Sequence, residues 1–386
     1  MFVFGSLENV PPIINEGRSL AEVGYIVHIL ALRYKSSQPK IEEVVEGFYI
    51  HRMTLLTRMV FGDNDIFQLL RYIEVAVRSF FAGIFQAADL FVAHDLITLP
   101  YVYPLARIRR RKVVYRAHEL WSEQAPNYPK AYFWKKLDKF LSPRVDALVT
   151  AEENRAIVYS EEYHTPQFPT VVYNCPKFIT RPHSSPLKEI LVARNLKNGF
   201  IVYYQGGIAS TRSIDKLVES MLYTSDDISL VLVGNTSESF IKWVSPFVKE
   251  NKLEQRITLL GYIKYGDFLM QLCSGADIGV VFAKADCRNN IFSGTASNKL
   301  FEYMMLGLPI LASDLKSYSE IVGNENIGIC VISEDPKDIA RGIMKLYDNK
   351  SKLKEMRENA LRLSKEKYNW DVEFPKLHKL YEKLLG

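Results

Sequence analysis

The stretch "SGTASNKLFEYMMLGLPILASD", residues 293–314, decides the fold because it contains a helix, the end of that helix and an apolar strand. Ser297 suits the cap of a helix that begins at Asn298, and Gly307 suits its end. The following "PILASD" is typical of a strand buried on both faces of a parallel sheet. A helix that leads through a glycine into such a strand predicts a doubly wound α/β domain.

The charges of the predicted helix indicate what it binds. Lys299 in the first turn is unfavourable at an empty helix N-terminus by roughly 0.3–1 kcal/mol, but favourable where an anion is bound. Together with the backbone amides near Ser297 and Asn298, it predicts a diphosphate site that needs no metal. Glu302, one turn later, suits two vicinal hydroxyls, so the stretch indicates a nucleotide sugar. Taken alone, it also fits an ordinary solvated first turn.

Length and composition set the protein class. A chain of 386 residues is too long for one ordinary core and predicts two domains. Its 48% apolar and 24% charged residues are typical of a soluble globular protein, and a net charge of +5 does not favour nucleic acid. Four cysteines without C-x-x-C or zinc-like spacing favour a reducing compartment. Because the sequence shows neither a signal-peptide pattern nor an apolar run of bilayer length, we expect a cytoplasmic protein.

The first half of the chain predicts a parallel sheet with polar strand ends. A helix ending at Gly24 is followed by the strand "YIVHILAL", a long helical region, and the strands "LFVAHD", "KVVYRAHE" and "DALVTAE". The N-terminal "MFVFGSL" also predicts a strand. Ligands of such sheets lie beyond the carboxyl ends of the strands. The candidate site residues at that edge are His94, Asp95, His118 and Glu119.

The second half predicts another doubly wound sheet after a proline-rich break. Strands are expected at "FIVYYQGG", "ISLVLVGN", "RITLLGY", "IGVVFA" and "PILASD", separated by helices. The predicted domains are 1–180, a linker at 181–198, a second domain at 199–365, and a C-terminal helix at 366–386 that packs back on the first domain. We expect two Rossmann-like domains that face a cleft.

These segments together resemble the GT-B glycosyltransferases, specifically the retaining family 4 enzymes (glycosyl transferases group 1), over nearly the whole chain. "SNKLFEYMMLGLPILASD" is similar to the family signature in its "NKLFEY" form, and "YYQGGIASTRSIDKLVESM" is similar to the phosphate loop and following helix. "HDLITLP", "YRAHELWSE" and "VVYNCP" resemble landmarks of the acceptor domain. The resemblance implies that the second domain binds the donor and the first binds the acceptor.

The resemblance also implies roles for individual residues. Glu302 would hold the donor ribose, and His118 would contact the donor sugar near the reacting carbon. A guanidinium at Arg212 would stabilise charge that develops on the leaving phosphate. The implied catalytic residues are His118, Arg212 and Lys299. The implied donor-binding residues are Gly206, Gly207, Tyr262, Asn290, Ser297, Asn298 and Glu302. The implied acceptor or sugar contacts are His94, Asp95 and Glu119, with structural roles as the alternative for the first two. For Glu119 the alternative is that it orients the His118 ring.

Departures from the family pattern leave alternatives open. Gly294 stands eight positions before Glu302, where the family often has a second Glu. In the phosphate loop, Gly207 stands in the place of an Arg and Ser213 in the place of a Gly. One alternative is a non-catalytic assembly subunit with a degenerate donor site, and another is a nucleotide-sugar epimerase. A dehydrogenase is disfavoured because no G-x-G-x-x-G follows a strand.

The sequence thus predicts a retaining glycosyltransferase of class EC 2.4, of the hexosyltransferase type. It would move a sugar from a nucleoside diphosphate sugar, by resemblance a UDP-sugar, to an acceptor hydroxyl in surface polysaccharide or glycolipid biosynthesis. We expect no metal or other cofactor, a glycan or lipid-linked acceptor, and no nucleic-acid partner. The basic run "RIRRRK", residues 107–112, predicts peripheral contact with the inner face of an anionic membrane, and a solvated loop face is the alternative.

Overall fold

The computed structural model describes residues 1–7, 10–62, 65–124 and 131–386. Contacts divide the chain into two compact units. The first unit comprises Met1–Tyr173 together with Trp370–Gly386, and the second comprises Asn174–Asn369. The C-terminal segment therefore belongs with the N-terminal one.

The linker predicted at 181–198 is instead part of the second unit. It contains the helix Leu187–Ala193, and the chain before that helix is fastened to the unit by side chains. Arg181 Nη2 donates to the Ser274 carbonyl at 2.8 Å, and Ser185 Oγ donates to the Leu272 carbonyl at 3.2 Å. The prolines that suggested a linker mark an extended chain that lies against this unit.

The first unit is a sheet covered by helices. Its strands are β1 (Val27–Leu32), β2 (Ile41–Val45), β3 (Phe48–Met53), β4 (Leu90–His94), β5 (Lys112–Ala117), β6 (Ala147–Thr150) and β7 (Thr170–Val171). Its helices are α1 (Pro11–Glu22), α2 (Leu56–Phe61), α3 (Gln68–Phe85), α4 (Leu99–Ile108), α5 (Ala131–Leu141), α6 (Glu153–Ile157) and the C-terminal Trp370–Leu385. Short 3₁₀ or π turns lie at Asp65–Phe67, Trp121–Glu123, Ser142–Arg144 and Val158–Glu162.

The strand order is β2, β3, β1 in one group and β4, β5, β6, β7 in the other. Phe2 bridges the two groups, because it pairs with Leu30 of β1 on one side and Ala93 of β4 on the other. The N-terminal strand that the sequence predicts is thus reduced to a short bridging segment. The neighbouring strands are parallel, except that β2 runs antiparallel to β3.

The β2–β3 hairpin corrects the long helical region expected before β4. Its turn uses Gly47, whose φ of +81° is a left-handed conformation that glycine adopts without strain. Strand β2 has no buried residue, so it lacks the apolar alternation by which a strand is recognised in a sequence.

The second unit contains a six-stranded parallel sheet. Its strands are β8 (Phe200–Gln205), β9 (Ile228–Val233), β10 (Ile257–Gly261), β11 (Ile278–Val281), β12 (Ile310–Ser313) and β13 (Gly328–Val331). The order is β10, β9, β8, β11, β12, β13. The five strands expected from the sequence are all present, while the short edge strand β13 was not predicted.

Helices cover both faces of this second sheet. They are α7 (Leu187–Ala193), α8 (Ile214–Ser220), α9 (Glu238–Glu250), α10 (Asp267–Ser274), α11 (Arg288–Ile291), α12 (Asn298–Met305), α13 (Lys316–Tyr318), α14 (Pro336–Asp348) and α15 (Lys350–Glu366). Shorter turns lie at Ser210–Arg212, Met221–Tyr223 and Ser319–Gly323. The strand order reverses between β8 and β11, and ligands of doubly wound sheets bind beside such a switch point.

The C-terminal helix, α16 (Trp370–Leu385), packs on α1 in the first unit. Trp370 Nε1 donates to Ser19 Oγ at 2.9 Å, and the Tyr381 hydroxyl donates to Glu16 Oε1 at 2.7 Å. Glu16 is fully buried, and its other oxygen lies 3.0 Å from Arg116 Nε. The helix therefore closes the apolar core around β1 and β3 and completes a buried charge pair.

Candidate functional site

The loop after β8 forms the floor of the candidate site. Gly206 has a φ of +133°, which L side chains rarely adopt, and a Cβ there would lie 3.3 Å from Lys299 Nζ. A Cβ on Gly234, in the loop after β9, would lie 1.7 Å from the Gly206 carbonyl oxygen. The two loops therefore touch through bare backbone, and the Gly206 and Gly234 amides donate to the Val233 and Gly261 carbonyls, both at 2.9 Å.

Lys299 lies over this floor. It is the second residue of α12, and its Nζ donates to the Tyr204 hydroxyl at 3.3 Å and lies 4.6 Å from the Tyr204 ring centroid. Desolvation and the nearby Arg212 charge lower the pKa of Lys299 to about 7, although Glu302 opposes the shift. An anion bound beside Lys299 would favour its protonated, charged form and raise its pKa again.

Glu302 is the second charged group of the site, and it is only 4% exposed. Its Oε2 accepts a hydrogen bond from Gln205 Nε2, and a further bond comes from the Tyr265 hydroxyl. Desolvation raises the pKa of Glu302 to about 7, partly offset by Gln205, Lys299 and Tyr265. The carboxylate is thus fixed between the end of β8 and the loop after β10.

Two buried oxygens at this site have no hydrogen-bond partner among the described residues. They are Gln205 Oε1, beside Glu302, and Asn298 Oδ1, in the first residue of α12. Buried polar atoms are nearly always satisfied, so unsatisfied ones need an explanation. A bound ligand that donates hydroxyl or amide hydrogens supplies one.

Arg212 lies in the 3₁₀ turn Ser210–Arg212 and is exposed. Its Nε is 3.9 Å from the position that a Cβ on Gly207 would take, so the guanidinium stands beside the glycine loop. Ser213 follows with a φ of +55° and occupies the N-cap position of α8, without a capping bond from its side chain. A glycine adopts this left-handed conformation without strain. This is a physical reason why the GT-B family 4 pattern has a glycine at the position of Ser213.

The other residues predicted to bind the donor lie at the start of α12, after β10 and in α11. Ser297 occupies the cap position, but its side chain makes no capping bond, contrary to the expectation from sequence. Tyr262 directly follows β10 and is exposed. Asn290 lies in the one-turn helix α11 rather than in a loop, and its Nδ2 donates to Asp286 Oδ1 at 2.7 Å. We find no capping role for Ser297 and an intramolecular partner for Asn290.

Gly294 explains why the family's first Glu is missing. A Cβ at this position would lie 2.3 Å from the Ser317 carbonyl oxygen, and the Gly294 amide donates to Ser317 Oγ at 2.9 Å. No side chain fits here without a backbone shift. The site therefore holds one acidic residue, Glu302, where the pattern would supply two.

The chain segment that enters the second unit holds the loop before α12. Asn174 Nδ2 donates to the Ala296 carbonyl at 3.0 Å, and its backbone amide donates to the Thr295 carbonyl at 3.3 Å. These bonds fix the backbone immediately before Ser297. The landmark Asn174 is thus a positioning residue for the N-terminus of α12.

In the first unit, the ends of β4 and β5 bring two imidazoles together, as parallel strands with polar ends predict. His94 Nδ1 and His118 Nε2 are 2.9 Å apart, and the rings stack with centroids 5.2 Å apart and 12° between planes. Desolvation and the charges of His118 and Arg116 hold the pKa of His94 well below its ordinary value. His94 is therefore neutral at physiological pH and fixes the orientation of His118.

Asp95 and Glu119 flank this pair with different roles. Asp95 has a φ of +63° and accepts the His118 amide at 3.1 Å, so it ties the end of β4 to the end of β5. Desolvation and the charge of Glu119 raise the pKa of Asp95 to about 7, while backbone hydrogen bonds oppose this. Glu119 is exposed and accepts a hydrogen bond from Gln124 Nε2. The ring partner of His118 that was expected in Glu119 is His94.

Sequence reasoning missed Gln205, Tyr204 and Tyr265. Gln205 was detectable, because it is a polar residue that ends an apolar strand, as His94 does. Tyr204 and Tyr265 carried no pattern, since aromatic residues beside a strand end are usually core. In the described part of the chain, no group of three or more His, Cys, Asp or Glu side chains is arranged to hold a metal.

Two family models match the chain, one in each unit. Residues 13–175 match the model described as Glycosyltransferase Family 4, and residues 189–363 match Glycosyl transferases group 1. Between them the two models span nearly all of both units, with the β8 loop, Arg212 and α12 inside the second. The chain belongs to the GT-B glycosyltransferases. The site on α12 lies within the part of the chain that matches Glycosyl transferases group 1.

Individual relatives agree with this membership. An uncharacterized glycosyltransferase of Methanocaldococcus jannaschii is 33% identical over 93 residues, a stretch that covers 24% of this chain and 24% of that protein. This chain thus aligns with about a quarter of the length of its curated relative.

Solved structures show the same fold at low identity. Sucrose-phosphate synthase from Thermosynechococcus elongatus has a TM-score of 0.77 at 16% identity, covering 99% of this chain and 98% of that one. HepE from Anabaena, solved in complex with UDP-glucose, has a TM-score of 0.76 at 13% identity, covering 99% of each chain. Both likenesses establish two Rossmann-like domains of GT-B type for this chain. No helix among the described residues is long and apolar enough to cross a membrane.

Proposed function

We propose that this GT-B glycosyltransferase transfers a sugar from a UDP-sugar to an acceptor hydroxyl with retention of the anomeric configuration. The observation that carries the proposal is the arrangement of Lys299, Glu302 and Gln205 around the glycine loop. It combines a cation for a diphosphate with a carboxylate for a diol, as a nucleoside diphosphate sugar requires. The nucleotide is proposed as UDP because HepE, a structural neighbour, binds UDP and UDP-glucose.

The charge chemistry is assigned to this chain's own cations. Departure of the leaving group places negative charge on the β-phosphate, next to which Lys299 and Arg212 would stand. Their attraction grows as that charge develops, so it lowers the barrier rather than only the dissociation constant. We propose that the reaction needs no metal, so that chelation with EDTA leaves the rate unchanged.

The acceptor is assigned to the first unit. His118, oriented by His94, would contact the donor sugar, and the leaving phosphate would take the acceptor proton in a same-face attack. We propose a glycan or lipid-linked acceptor in surface polysaccharide or glycolipid biosynthesis, with peripheral contact at an anionic membrane. The basic run at 107–112 supports that contact.

Thermal unfolding with and without nucleotide tests the donor site. UDP at about 100 times its dissociation constant should add roughly 2.7 kcal/mol to the free energy of unfolding. GDP and ADP at the same concentration should add less. Glu302→Gln should remove most of the shift. Glu325→Gln is the matched control, because Glu325 accepts hydrogen bonds from two side chains of the same unit, Lys367 and Tyr368, as Glu302 does from Gln205 and Tyr265.

The outcomes separate the rival functions. If no nucleotide stabilises the protein, the donor site is degenerate and an assembly subunit is the better description. If UDP-glucose is converted to another UDP-sugar without acceptor, the protein is an epimerase. Release of UDP only when an alkyl glycoside is added supports transfer, and the anomeric proton coupling of the product tests retention.

A further inference from the structure

Helices α2 and α3 turn large apolar side chains to solvent. On α2, Leu56, Met59 and Val60 are 63%, 71% and 72% exposed. On α3 the exposed apolar residues are Leu69 and a series that recurs every three or four positions: Leu70, Ile73, Val77, Phe81 and Phe85. We call these nine side chains the α2–α3 face. Nine large apolar side chains exposed on two consecutive helices are typical of an interaction site rather than of ordinary exposure.

The inner side of α3 shows that this face is not an accident of packing. The residues that α3 buries are Val75, Ser79 and Gly83, four positions apart. A Cβ on Gly83 would lie 2.4 Å from Leu105 Cδ2, so α3 packs closely on α4 through its small side chains. A surface helix of a soluble protein ordinarily buries its leucines and phenylalanines and exposes its serine to solvent. This helix does the reverse, so its large side chains suit an apolar environment outside the protein.

Helix α2 is held in place by charged side chains instead of by apolar burial. It buries none of its residues. Glu74 accepts from the Leu56 and Thr57 amides at 2.7 and 2.8 Å, which caps the start of α2. Arg71 Nη1 donates to the Gly62 carbonyl at 2.7 Å, which caps its end. Glu74 and Arg71 of α3 thus bind the backbone of α2, while the apolar side chains of both helices face solvent.

A cationic border adjoins the far end of the face. Arg109 donates to the Ile84 carbonyl, which fastens the basic run 107–112 to the last turn of α3. Arg110 and Lys112 of this run are exposed. Arg111 is also exposed and lies 3.3 Å from Asp89. An apolar stripe that ends in a group of cations matches the acyl chains and headgroups of an anionic membrane.

We propose that the α2–α3 face docks on the surface of an anionic lipid bilayer, with its apolar side chains among the outer acyl segments and the 107–112 run over the headgroups. The proposal deepens the membrane contact of the proposed function and rests on it. A second copy of the chain would bring the same cationic border and thus no complementary charge. The bilayer supplies both the apolar layer and the anions.

Vesicle flotation with the full chain tests the proposal. We expect binding to vesicles of phosphatidylcholine and phosphatidylglycerol in equal parts, and weaker binding to phosphatidylcholine alone. The double variant Phe81→Gln, Phe85→Gln should lower the partition coefficient about tenfold or more, since two phenyl rings no longer enter the bilayer. Phe268→Gln on α10 is the matched control, because Phe268 is 52% exposed and Phe81 is 56% exposed. Arg110→Gln with Arg111→Gln should reduce the preference for anionic vesicles.

Three results would overturn the assignment. The wild-type chain fails to bind either vesicle, the double variant binds as well as the wild type, or the variant changes a dimer into a monomer without changing vesicle binding. UDP-induced stabilisation of the same preparations keeps this test apart from the donor site. Vesicle binding without a UDP shift contradicts the proposed function, and a UDP shift without vesicle binding contradicts only the docking surface.

Discussion

Both units place polar side chains at the carboxyl ends of parallel strands, yet the chemistry of the two edges differs. In the second unit, Lys299 and Glu302 carry opposite charges, and burial moves both pKa values toward neutrality. In the first unit, His94 and His118 form a stacked pair of imidazoles, with His94 held neutral by desolvation. A buried cation suits the binding of a diphosphate, whereas an imidazole pair that contains a neutral His94 suits the hydroxyl groups of a sugar.

The strongest way to test the charged edge is to remove its cation. Lys299→Met should lower the transfer rate roughly 10²–10³-fold, because the ammonium would no longer stabilise charge on the leaving diphosphate. The measurement is UDP release from UDP-glucose with an alkyl glycoside as acceptor. Lys284→Met is the matched control, since Lys284 is a partly buried lysine of the same unit that lies 3.8 Å from Glu334. An unchanged rate in Lys299→Met would show that the diphosphate binds elsewhere.

The imidazole edge should affect turnover and leave donor binding intact. His118→Ala should lower kcat by roughly 10²-fold, while UDP still raises the unfolding midpoint as in the wild type. His94→Phe keeps an aromatic ring in the stack but loses the bond to His118, so its kcat should fall less and its pH profile should change. If either variant loses UDP stabilisation and keeps its kcat, the assignment of donor binding to the second unit and of turnover to His118 is wrong.

The charged pair also predicts how donor affinity depends on pH. Lys299 must be protonated to hold the diphosphate, so affinity should fall as pH rises above about 7, the pKa of Lys299. Glu302 must be ionised to accept hydroxyl hydrogens, so affinity should fall as pH decreases below about 7, the pKa of Glu302. UDP-glucose binding should thus be strongest near neutrality, and each limb should approach about tenfold per pH unit.

Calorimetry of UDP-glucose binding across pH separates the two limbs. Glu302→Gln should lose the acidic limb and keep the alkaline one, whereas Lys299→Met should show the opposite. Asp95 of the first unit, whose pKa burial raises to about 7, also titrates in this range, so a limb that is common to both variants would point to Asp95. A pH dependence that survives in both variants would place the titrating groups outside this pair.

The comparison also shows what a sequence can reveal. Strands such as β8 and β9 are buried throughout and consist almost entirely of apolar residues, so their identity was predictable. The edge strands β2 and β13 were not, because one buries no residue and the other is four residues long. Such edge strands form mainly because of contacts with residues that are distant in the sequence. These contacts produce no alternation of apolar and polar residues within the strand itself.

The candidate site divides in the same way. Lys299 and Glu302 were predictable from their spacing on one short helix, and the approach of His94 to His118 followed from parallel strands. The bond from Tyr265 to Glu302 joins residues from different loops and has no sequence signal. The replacement of Glu119 by His94 as the ring partner of His118 depends on ring orientation, which strand order alone does not fix.

The smallest effect we predict concerns two neighbouring glycines of the loop after β8. Gly206 has a φ of +133°, and a Cβ there would crowd Lys299 Nζ at 3.3 Å, whereas a Cβ on Gly207 would meet only Arg212 Nε at 3.9 Å. Gly206→Ala should therefore lower the free energy of unfolding by about 1 kcal/mol or more and weaken UDP binding. Gly207→Ala should leave stability unchanged or slightly raised, because its backbone needs no left-handed conformation. Equal losses in both variants, measured by denaturant unfolding with and without UDP, would mean that close approach of backbone to ligand, rather than strain at Gly206, sets the requirement for glycine at this edge.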